Sequence, residues 1–529
     1  MKLLIIDGRK IMSATMFFLL SSLDVQRGGL TKASLAQANT FADMGYDTHI
    51  LTFNFDTRYE RIREKLIELG QLSEKVKVLN LYEELCGSEE DLTVTQATPE
   101  IGYLDPHVGH NAFRVYENGL YTKYKKFHED DSLDFIDYFN EQRYRIKKEV
   151  YDEYGLIRKV SFMDFASNKP RQMNFYNSSS QAYLSKWVNP ENGKAIRVNW
   201  FDENGDIKAI YSNDDQLKLD WVERVIKDVD NPVLVADARK TDLLMINVKN
   251  KRAAKIWRLH SNHLTAPWEA DSDIASTVQT GINHLDNIDA ALVLTEQQKT
   301  DIENRFGKRT NLHVISHASR TNLKTGWFGR LGLVKDERLA VVISRYSAIK
   351  NIDHIIKAFE IVVKKVPDAK LEFWGDGPEK EKLQKIIHDA NLTNHIKLNG
   401  YTQEPSNIYQ SALFSILASK TEGFSLSVLE SMSNATAVVS YDIRYGPNEL
   451  IDNGEDGVLV QKNNIDMLAE AMISMFNHPD TAIKMGKAAL KKVERKFNQE
   501  IYANSWEHVV RVASENRQLK NEDIPLAKK

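Results

Sequence analysis

The sequence predicts an α/β protein with two parallel-sheet domains and a β-meander inserted in its N-terminal half. Three observations carry that reading. Apolar strand-like runs alternate with helical runs at both ends of the chain, hairpin signals recur in the stretch between them, and 529 residues exceed what one hydrophobic core supports.

The first element is the apolar run "TMFFLLSS", followed by the loop "LDVQRGGLT", the helical "KASLAQANTFADMG" and a second strand, "YDTHILTF". Leu35, Ala38, Phe41 and Ala42 keep helical spacing, and Gly45 stands where a helix ends. This is a βαβ unit, so its strands are parallel. "MFFLLSSL" is too short to span a bilayer and is read as a buried strand, not a signal peptide; any membrane contact is expected to be peripheral. "EKVKVLNLY" supplies another strand.

From about residue 100 to 215 the pattern changes. "VYENGLYTKY", "VYDEYGLIRKVSF" and "WFDENGDIKAIY" each put acids or Glu-Asn and a Gly before a β-rich run, which is hairpin chemistry. The meander reads as a structural insert whose sheet edges suit oligomerisation, with a long acceptor as the other use of its surface. Its Lys123, Lys125, Lys126, Arg143, Arg145, Lys147 and Lys148 are candidates for a groove that binds an anionic polymer, against the plain reading of solvated charges.

Parallel patterning resumes with "PVLVADA", "AAKIWRLH" and "IDAALVLT". A second set follows: "LAVVISR", "KLEFWGDG", "IKLNGY", "FSILAS" and "AVVSYD", with helical stretches between. The expected domains are 1–95 with 220–325 (Rossmann-like), 96–219 (β-rich insert), 326–515 (Rossmann-like) and a frayed tail, 516–529. Two Rossmann-like domains facing a cleft place a ligand at the C-terminal ends of the strands.

Charge and cysteine content narrow the function. A net charge of −4 with interspersed acids and bases gives no footprint for nucleic acid. Cys86 is the single cysteine, which excludes an intrachain disulfide and fits a reducing cytoplasm.

Several segments could carry chemistry. Gly28 and Gly29 lie between the first strand and its helix, where they suit either a diphosphate or a plain tight turn. Arg345 and Lys350 in "SRYSAIKN" either neutralise a diphosphate or are solvated cations. Glu422 and Glu430 in "KTEGFSLSVLESMS" stand eight residues apart; Ser427 and Glu430 also match a capping box, whereas Glu422 after a strand is placed to accept hydrogen bonds from hydroxyls. His260 and His263 form HxxH without a third ligand nearby, so no metal is expected. Asp271 and Asp273 form a DxD that reads better as acids before a helix.

Taken in order, Gly28-Gly29, Arg345 and Lys350, "WGDGP", Glu422 to Glu430 and "YGPNELI" resemble the GT-B glycosyltransferases of retaining family 4, and among them the wall teichoic acid α-glycosyltransferases of Gram-positive bacteria. "LLSSLDVQRGGLT", "HSNH", "VLTEQQKTDI" and "DIRYGPNELI" are similar to theirs. The resemblance implies transfer of glucose or N-acetylglucosamine from a UDP-sugar to a polyol-phosphate polymer, with no metal or other cofactor, and a trimer formed through the insert. It implies a cytoplasmic enzyme that at most touches the inner face of the cell membrane.

The implied catalytic residues are His260, Glu422, Arg345 and Lys350. Gly28, Gly29, Tyr401, Gly423, Phe424, Ser425, Leu426 and Glu430 join the cation pair and Glu422 in holding the donor. Among these, Gly29 would offer its N–H to the diphosphate, Glu430 would hold the ribose and Glu422 the donor sugar. A transferase acting on serine-rich adhesins and a catalytically silent subunit of the same fold are the alternatives.

Overall fold

The computed structural model describes residues 5–6, 9–10, 14–25, 29–87, 102–106, 109, 111–319 and 335–522. Gly28 lies outside them. By compactness the chain divides into residues 1–255 and 256–529.

In the first unit, strands Pro232–Ala236, Thr15–Leu20, Asp47–Thr52 and Val76–Asn80 pair in that order, all parallel. The run read as a buried strand is one: Met16 through Leu20 are all buried. Its crossover helix, Gly29–Asp43, stops as expected at Gly45. There Tyr46 N–H donates to the Phe41 carbonyl (3.0 Å) and Gly45 N–H to that of Ala42 (3.2 Å), with Gly45 at φ 88°.

The insert is a ten-stranded antiparallel sheet whose strands lie side by side in sequence order, from Tyr103–Asp105 to Ile207–Tyr211. The three hairpins marked by glycine are present, but the sheet is longer than they indicate. Its other turns use a device that does not need glycine: an Asn or Asp side chain accepts hydrogen bonds from backbone N–H groups two to four residues on. Asn140 accepts from Gln142 and Tyr144, and Asn177 from Gln181; Asn189 accepts from Glu191 in a turn that also holds Gly193 at φ 72°. Asp152 and Asp202 do the same in the glycine hairpins. The residue three on from Asn140 and Asn177, Arg143 or Ser180, takes the positive φ that Gly155 and Gly205 supply elsewhere.

One face of the insert packs on the strand-and-helix part of the same unit. Phe175 meets Phe55 and Tyr82 at ring separations of 5.1 Å, and Lys186 donates to the Tyr82 hydroxyl (2.7 Å) and pairs with Asp214. The chain leaves the sheet through helix Asp214–Val225, capped by Asn213, whose side chain accepts from Gln216 N–H. Of the basic residues considered for a groove, Lys123 pairs with Glu117, Arg145 with Asp137 and Lys147 with Glu149.

In the second unit, residues 256–258 at the end of strand Ala254–Arg258, then Ala290–Val293 and Leu312–Val314, are parallel neighbours. A further six-stranded parallel sheet runs in the order Ile396–Leu398, Lys370–Trp374, Asp336–Ile343, Ala412–Leu417, Ala437–Asp442, Gly457–Gln461. In chain order this is 3-2-1-4-5-6, the doubly wound arrangement. All five expected strands of this set are present; Gly457–Gln461 is additional. The core is filled by Ile355, Phe359 and Val362 of helix Ile352–Lys365 against Phe373, Phe414 and Val439.

Two expectations need correction. Residues 516–522 are not a frayed tail, because helix Gln499–Asn521 runs through them. It is held there by Asn516, which donates to the Asp289 carbonyl (2.9 Å), and by Lys520, which donates to the Ile288 carbonyl (3.0 Å). Nor do Asp271 and Asp273 precede a helix N-terminus: both are exposed, and the next helix, Gln279–Asn283, starts six residues later without a side-chain cap. Among the described residues no helix is long and apolar enough to cross a membrane.

The turn chemistry is testable. Asp202→Ala removes an acceptor for two backbone N–H groups, and Gly205→Ala forces a Cβ onto a residue at φ 83°. Each is expected to cost about 1 kcal/mol. Amide exchange should accelerate at residues 200–208 alone; unchanged exchange there would show that the turn does not hold the hairpin.

Candidate active site

The switch point of the six-stranded sheet lies between Asp336–Ile343 and Ala412–Leu417, where consecutive connections leave in opposite directions. Ligands of such sheets bind beyond these strand ends. Two loops leave there: residues 344–350, carrying Arg345 and Lys350, and residues 418–425, carrying Glu422.

The first loop is fixed from below. Ser344 N–H donates to the Trp374 carbonyl (3.0 Å), Tyr346 N–H to that of Asp376 (2.9 Å), and the Tyr346 hydroxyl to the Phe373 and Asn399 carbonyls (2.9 Å each). The "WGDG" motif makes this possible, since a Cβ at Gly375 would overlap the Ser344 carbonyl and one at Gly377 that of Tyr346. With the buried Tyr346 as its anchor, the loop turns Arg345 outward, exposed and with no hydrogen bond or ion pair among the described residues. Tyr401, 67% exposed, follows Gly400, whose carbonyl accepts from Gly375 N–H (3.0 Å). It therefore stands beside the same loops.

Lys350 ends a short turn, Ala348–Lys350, and donates from Nζ to Glu422 Oε1 at 2.5 Å. Ser419 Oγ donates to the same oxygen at 2.7 Å. Lys420 N–H donates to the Ile349 carbonyl (2.8 Å), so the two loops are also joined through backbone. Glu422 is thereby anchored through one oxygen, and Oε2 has no partner among the described residues. An ammonium has three donors, so Lys350 keeps two for another ligand.

The second loop is gripped on two further sides. Glu422 and Tyr445 exchange backbone hydrogen bonds through Arg444 and Glu422 carbonyls (3.3 and 3.0 Å), and the Thr421 hydroxyl donates to the Arg444 carbonyl (2.7 Å). Gly446 and Gly423 have no room for a Cβ, the first against the Phe424 carbonyl and the second against that of His260. His260 is thus brought directly to the Glu422 loop. Its ring stacks on His317 at 5.5 Å, and His317 meets the edge of Phe424 at 5.7 Å.

Ser425 follows at φ 75°, ψ 76° and opens helix Leu426–Ser433 without using its side chain as a cap; its Oγ is buried and has no partner among the described residues. Backbone N–H groups of the first turn are directed out of the helix end, toward the loops just described. Ser427 is inside the helix, not at its cap, so the capping-box reading of Ser427 and Glu430 is corrected. Glu430 is the fifth helical residue and is exposed.

Arg345, Lys350, Tyr401, Glu422 to Leu426, Glu430 and His260 therefore all belong to the second unit, around one sheet edge and the helix that leaves it. Gly29 belongs to the first unit, where it begins helix Gly29–Asp43. The two histidines of HxxH part: His263 is buried and stacks on Tyr445 at 5.9 Å, away from the His260–His317 pair. Among the described residues no three His, Cys, Asp or Glu side chains gather as a metal-holding group.

Sequence reasoning missed the scaffold behind these loops. In "VLTEQQKTDI", Thr295 caps helix Glu296–Phe306 by accepting from Gln298 N–H (3.1 Å), Gln298 donates to the Ser261 carbonyl (2.9 Å), and Asp301 accepts from Arg444 (2.5 Å) and the Tyr445 hydroxyl (2.7 Å). Asn262 adds a bond to Thr421 Oγ1 (2.8 Å). The sequence signals a strand, a Thr cap and a helix here, but the partners of Asp301 and Asn262 lie some 140 to 180 residues away.

Two family models match the chain: glycosyl transferase 1 domain A over residues 17–202, and glycosyl transferases group 1 over residues 324–492, which contain the loops of Arg345, Lys350 and Glu422. Between them they take in more than half of the 529 residues. The chain carries a group 1 glycosyltransferase domain and is a glycosyltransferase of GT-B fold.

It is 28% identical over 93% of its length to the poly(glycerol-phosphate) alpha-glucosyltransferase of Bacillus subtilis, covering 74% of that protein. It is 25% identical, again over 93%, to the poly(ribitol-phosphate) alpha-N-acetylglucosaminyltransferase of Staphylococcus aureus, covering 98% of that protein. In fold it is similar to the crystal structure of TarM (TM-score 0.83, 24% identity, 94% of this chain and 99% of that one). It is similar also to pneumococcal GtfA (TM-score 0.76, 16% identity, 95% and 99%).

Burial pushes the pKa of His263 down to about 4, and that of His313 likewise. The unfolded chain takes up these protons near pH 6.5, so stability is fully present above that pH and is lost as pH falls toward 4. For His263 the loss between pH 7 and pH 5 should be about 2 kcal/mol. Comparing denaturant midpoints at the two pH values for the wild type and His263→Gln checks this: the variant should show a smaller difference, and an equal one would remove His263 as its source.

Proposed function

We propose that the chain is a retaining glycosyltransferase that moves glucose or N-acetylglucosamine from a UDP-sugar onto a polyol-phosphate polymer, forming an α linkage. The observation that carries the reading is the convergence of Arg345, the Lys350–Glu422 pair and the N-terminus of helix Leu426–Ser433 at the switch point. Two cations and a helix N-terminus suit a diphosphate, and a carboxylate with one oxygen anchored suits sugar hydroxyls. The named activities of the Bacillus subtilis and Staphylococcus aureus relatives support the acceptor class.

In this reading Arg345 and the two spare donors of Lys350 hold the diphosphate, with Ser425 and the first-turn N–H groups beside it. Glu422 Oε2 accepts from donor-sugar hydroxyls, Glu430 holds the ribose, Tyr401 lies against the nucleoside, and His260 lines the sugar. The acceptor oxygen bonds to the anomeric carbon on the face from which UDP departs. The electron pair of the broken bond goes to the β-phosphate oxygen, which takes the acceptor's proton. Charge that develops on UDP is met by cations already in place, the arrangement that lowers such a barrier most.

The reaction is proposed to need no metal or other cofactor, and to take place in the cytoplasm with at most peripheral contact at the inner face of the membrane. The assembly is proposed to be a trimer formed through the insert. In support, Phe162 and Trp187 share one cross-strand row on a face of that sheet, Ile210 lies on the same face two residues along, and all three are exposed.

UDP release with each donor against poly(glycerol phosphate), poly(ribitol phosphate) and a serine-rich peptide, in EDTA, tests the reading. Polymer-dependent turnover is expected with one donor; turnover with the peptide alone would overturn it. Arg345→Ala should lower kcat/KM by about 10²–10³, and Glu430→Ala should raise the KM for donor while leaving that for polymer unchanged. Wild-type kinetics in Arg345→Ala would remove Arg345 from the site.

A further inference from the structure

One cavity of the first unit shares no wall residue with the loops described above. It has a volume of about 750 Å³ and lies beyond the ends of strands Thr15–Leu20 and Asp47–Thr52, between helix Tyr59–Glu68 and the insert sheet. Its walls include Asp56, Arg58, Arg61, Asp134, Val150 and Lys159.

Most of these charges are already matched. Arg58 and Arg61 pair with Asp130, Arg61 also with Glu153 (2.5 Å), and Lys65 with Glu68 (2.8 Å). Lys159 is the exception. Its ammonium lies over the Phe55 ring at 4.6 Å and has no ion pair or hydrogen bond among the described residues. It shares its sheet face with Lys148, on the neighbouring strand, and with Lys186. Lys186 is engaged by Tyr82 and Asp214, and Lys148 sits over the Phe135 ring at 3.2 Å without an ion partner among the described residues. Burial, then Lys148 and Lys186, press the Lys159 pKa down to about 8, opposed by Asp56 and Asp134. A half-buried cation between two others is stabilised by an anion, and the wall around it offers carboxylates that accept from hydroxyls.

We propose that this cavity binds the acceptor chain, with Lys159 holding a phosphodiester of a polyol-phosphate polymer and Asp56 and Asp134 accepting from the hydroxyls of the adjoining polyol. The alternation of cation and carboxylate in the wall matches the alternation of monoanionic phosphate and hydroxyl-bearing carbons in such a polymer. A uniformly anionic chain without hydroxyls lacks partners for the carboxylates. This inference rests on the acceptor class proposed above and assigns a place to it.

The test uses the full-length protein with Lys159→Met, which keeps the packing on Phe55, and Lys159→Arg, which keeps the cation. Binding of a short poly(glycerol phosphate) or poly(ribitol phosphate), whichever supports turnover, is measured by calorimetry beside UDP-sugar hydrolysis in the absence of acceptor. Lys159→Met is expected to weaken polymer binding by tenfold or more with hydrolysis unchanged, and Lys159→Arg to restore most of it. Separately, an amine-acylating reagent at pH 8 should modify Lys159 in the wild type, and saturating polymer should protect it. Equal polymer affinity in Lys159→Met, or no protection, overturns the assignment while leaving the transferase reading intact. Turnover with neither polymer in the wild type overturns both.

Discussion

The candidate active site depends on four places where two backbones meet with no room for a methyl group. Gly375 and Gly377 lie on the loop of Arg345, Gly423 on the carbonyl of His260, and Gly446 on that of Phe424. A Cβ at any of them overlaps a carbonyl oxygen, and at Gly375, Gly377 and Gly446 the positive φ adds strain of about 1–3 kcal/mol for another residue. These contacts set how far apart Arg345, Lys350, the Glu422 carboxylate and His260 stand. A shift of one carbon's width there is the size of error that costs a transferase about a hundredfold in rate. The motifs are thus steric requirements first, since their glycines make room for neighbouring backbone.

On that frame the electrostatics divide between two cations of different kinds. Lys350 is tied to Glu422 and so orients a carboxylate that Ser419 holds from a second direction. Arg345 is untied. The paired lysine gives geometry and the free arginine gives charge, a division that follows from their donors: three rotatable N–H groups on a point charge against a planar fork. Behind them Asp301 has a comparable role, fixing Arg444 and Tyr445 so that their backbone can grip the Glu422 loop.

Much of this is legible in the sequence where the signal is local. Apolar runs mark the parallel strands, and the spacing of Arg345, Lys350, Glu422 and Glu430 marks loops that the fold does bring together. The failures are also physical. Ser427 and Glu430 match a capping box, but the chain turns left-handed at Ser425 and starts the helix two residues earlier, so backbone conformation overrides the pattern. The last helix lacks a clear apolar period at its end because two of its holding contacts, from Asn516 and Lys520, are polar. Glycine marks only some of the insert's hairpins, while Asn140 and Asn177 close their turns with side-chain oxygens, so a count of glycine turns falls short of the strands present. The scaffold of Gln298 and Asp301 joins residues too distant in the chain for spacing to reveal.

Those side-chain-closed turns bear on how the insert can vary. Each hairpin of the sequential sheet carries its own closure and pairs only with its neighbours in the chain. Adding or deleting one hairpin would therefore break one seam and remake it, leaving the rest of the sheet in register. The sheet is in effect a ruler whose length can change by one fold at a time, while the loops at the switch point, bound by close backbone crossings, cannot change by a single carbon.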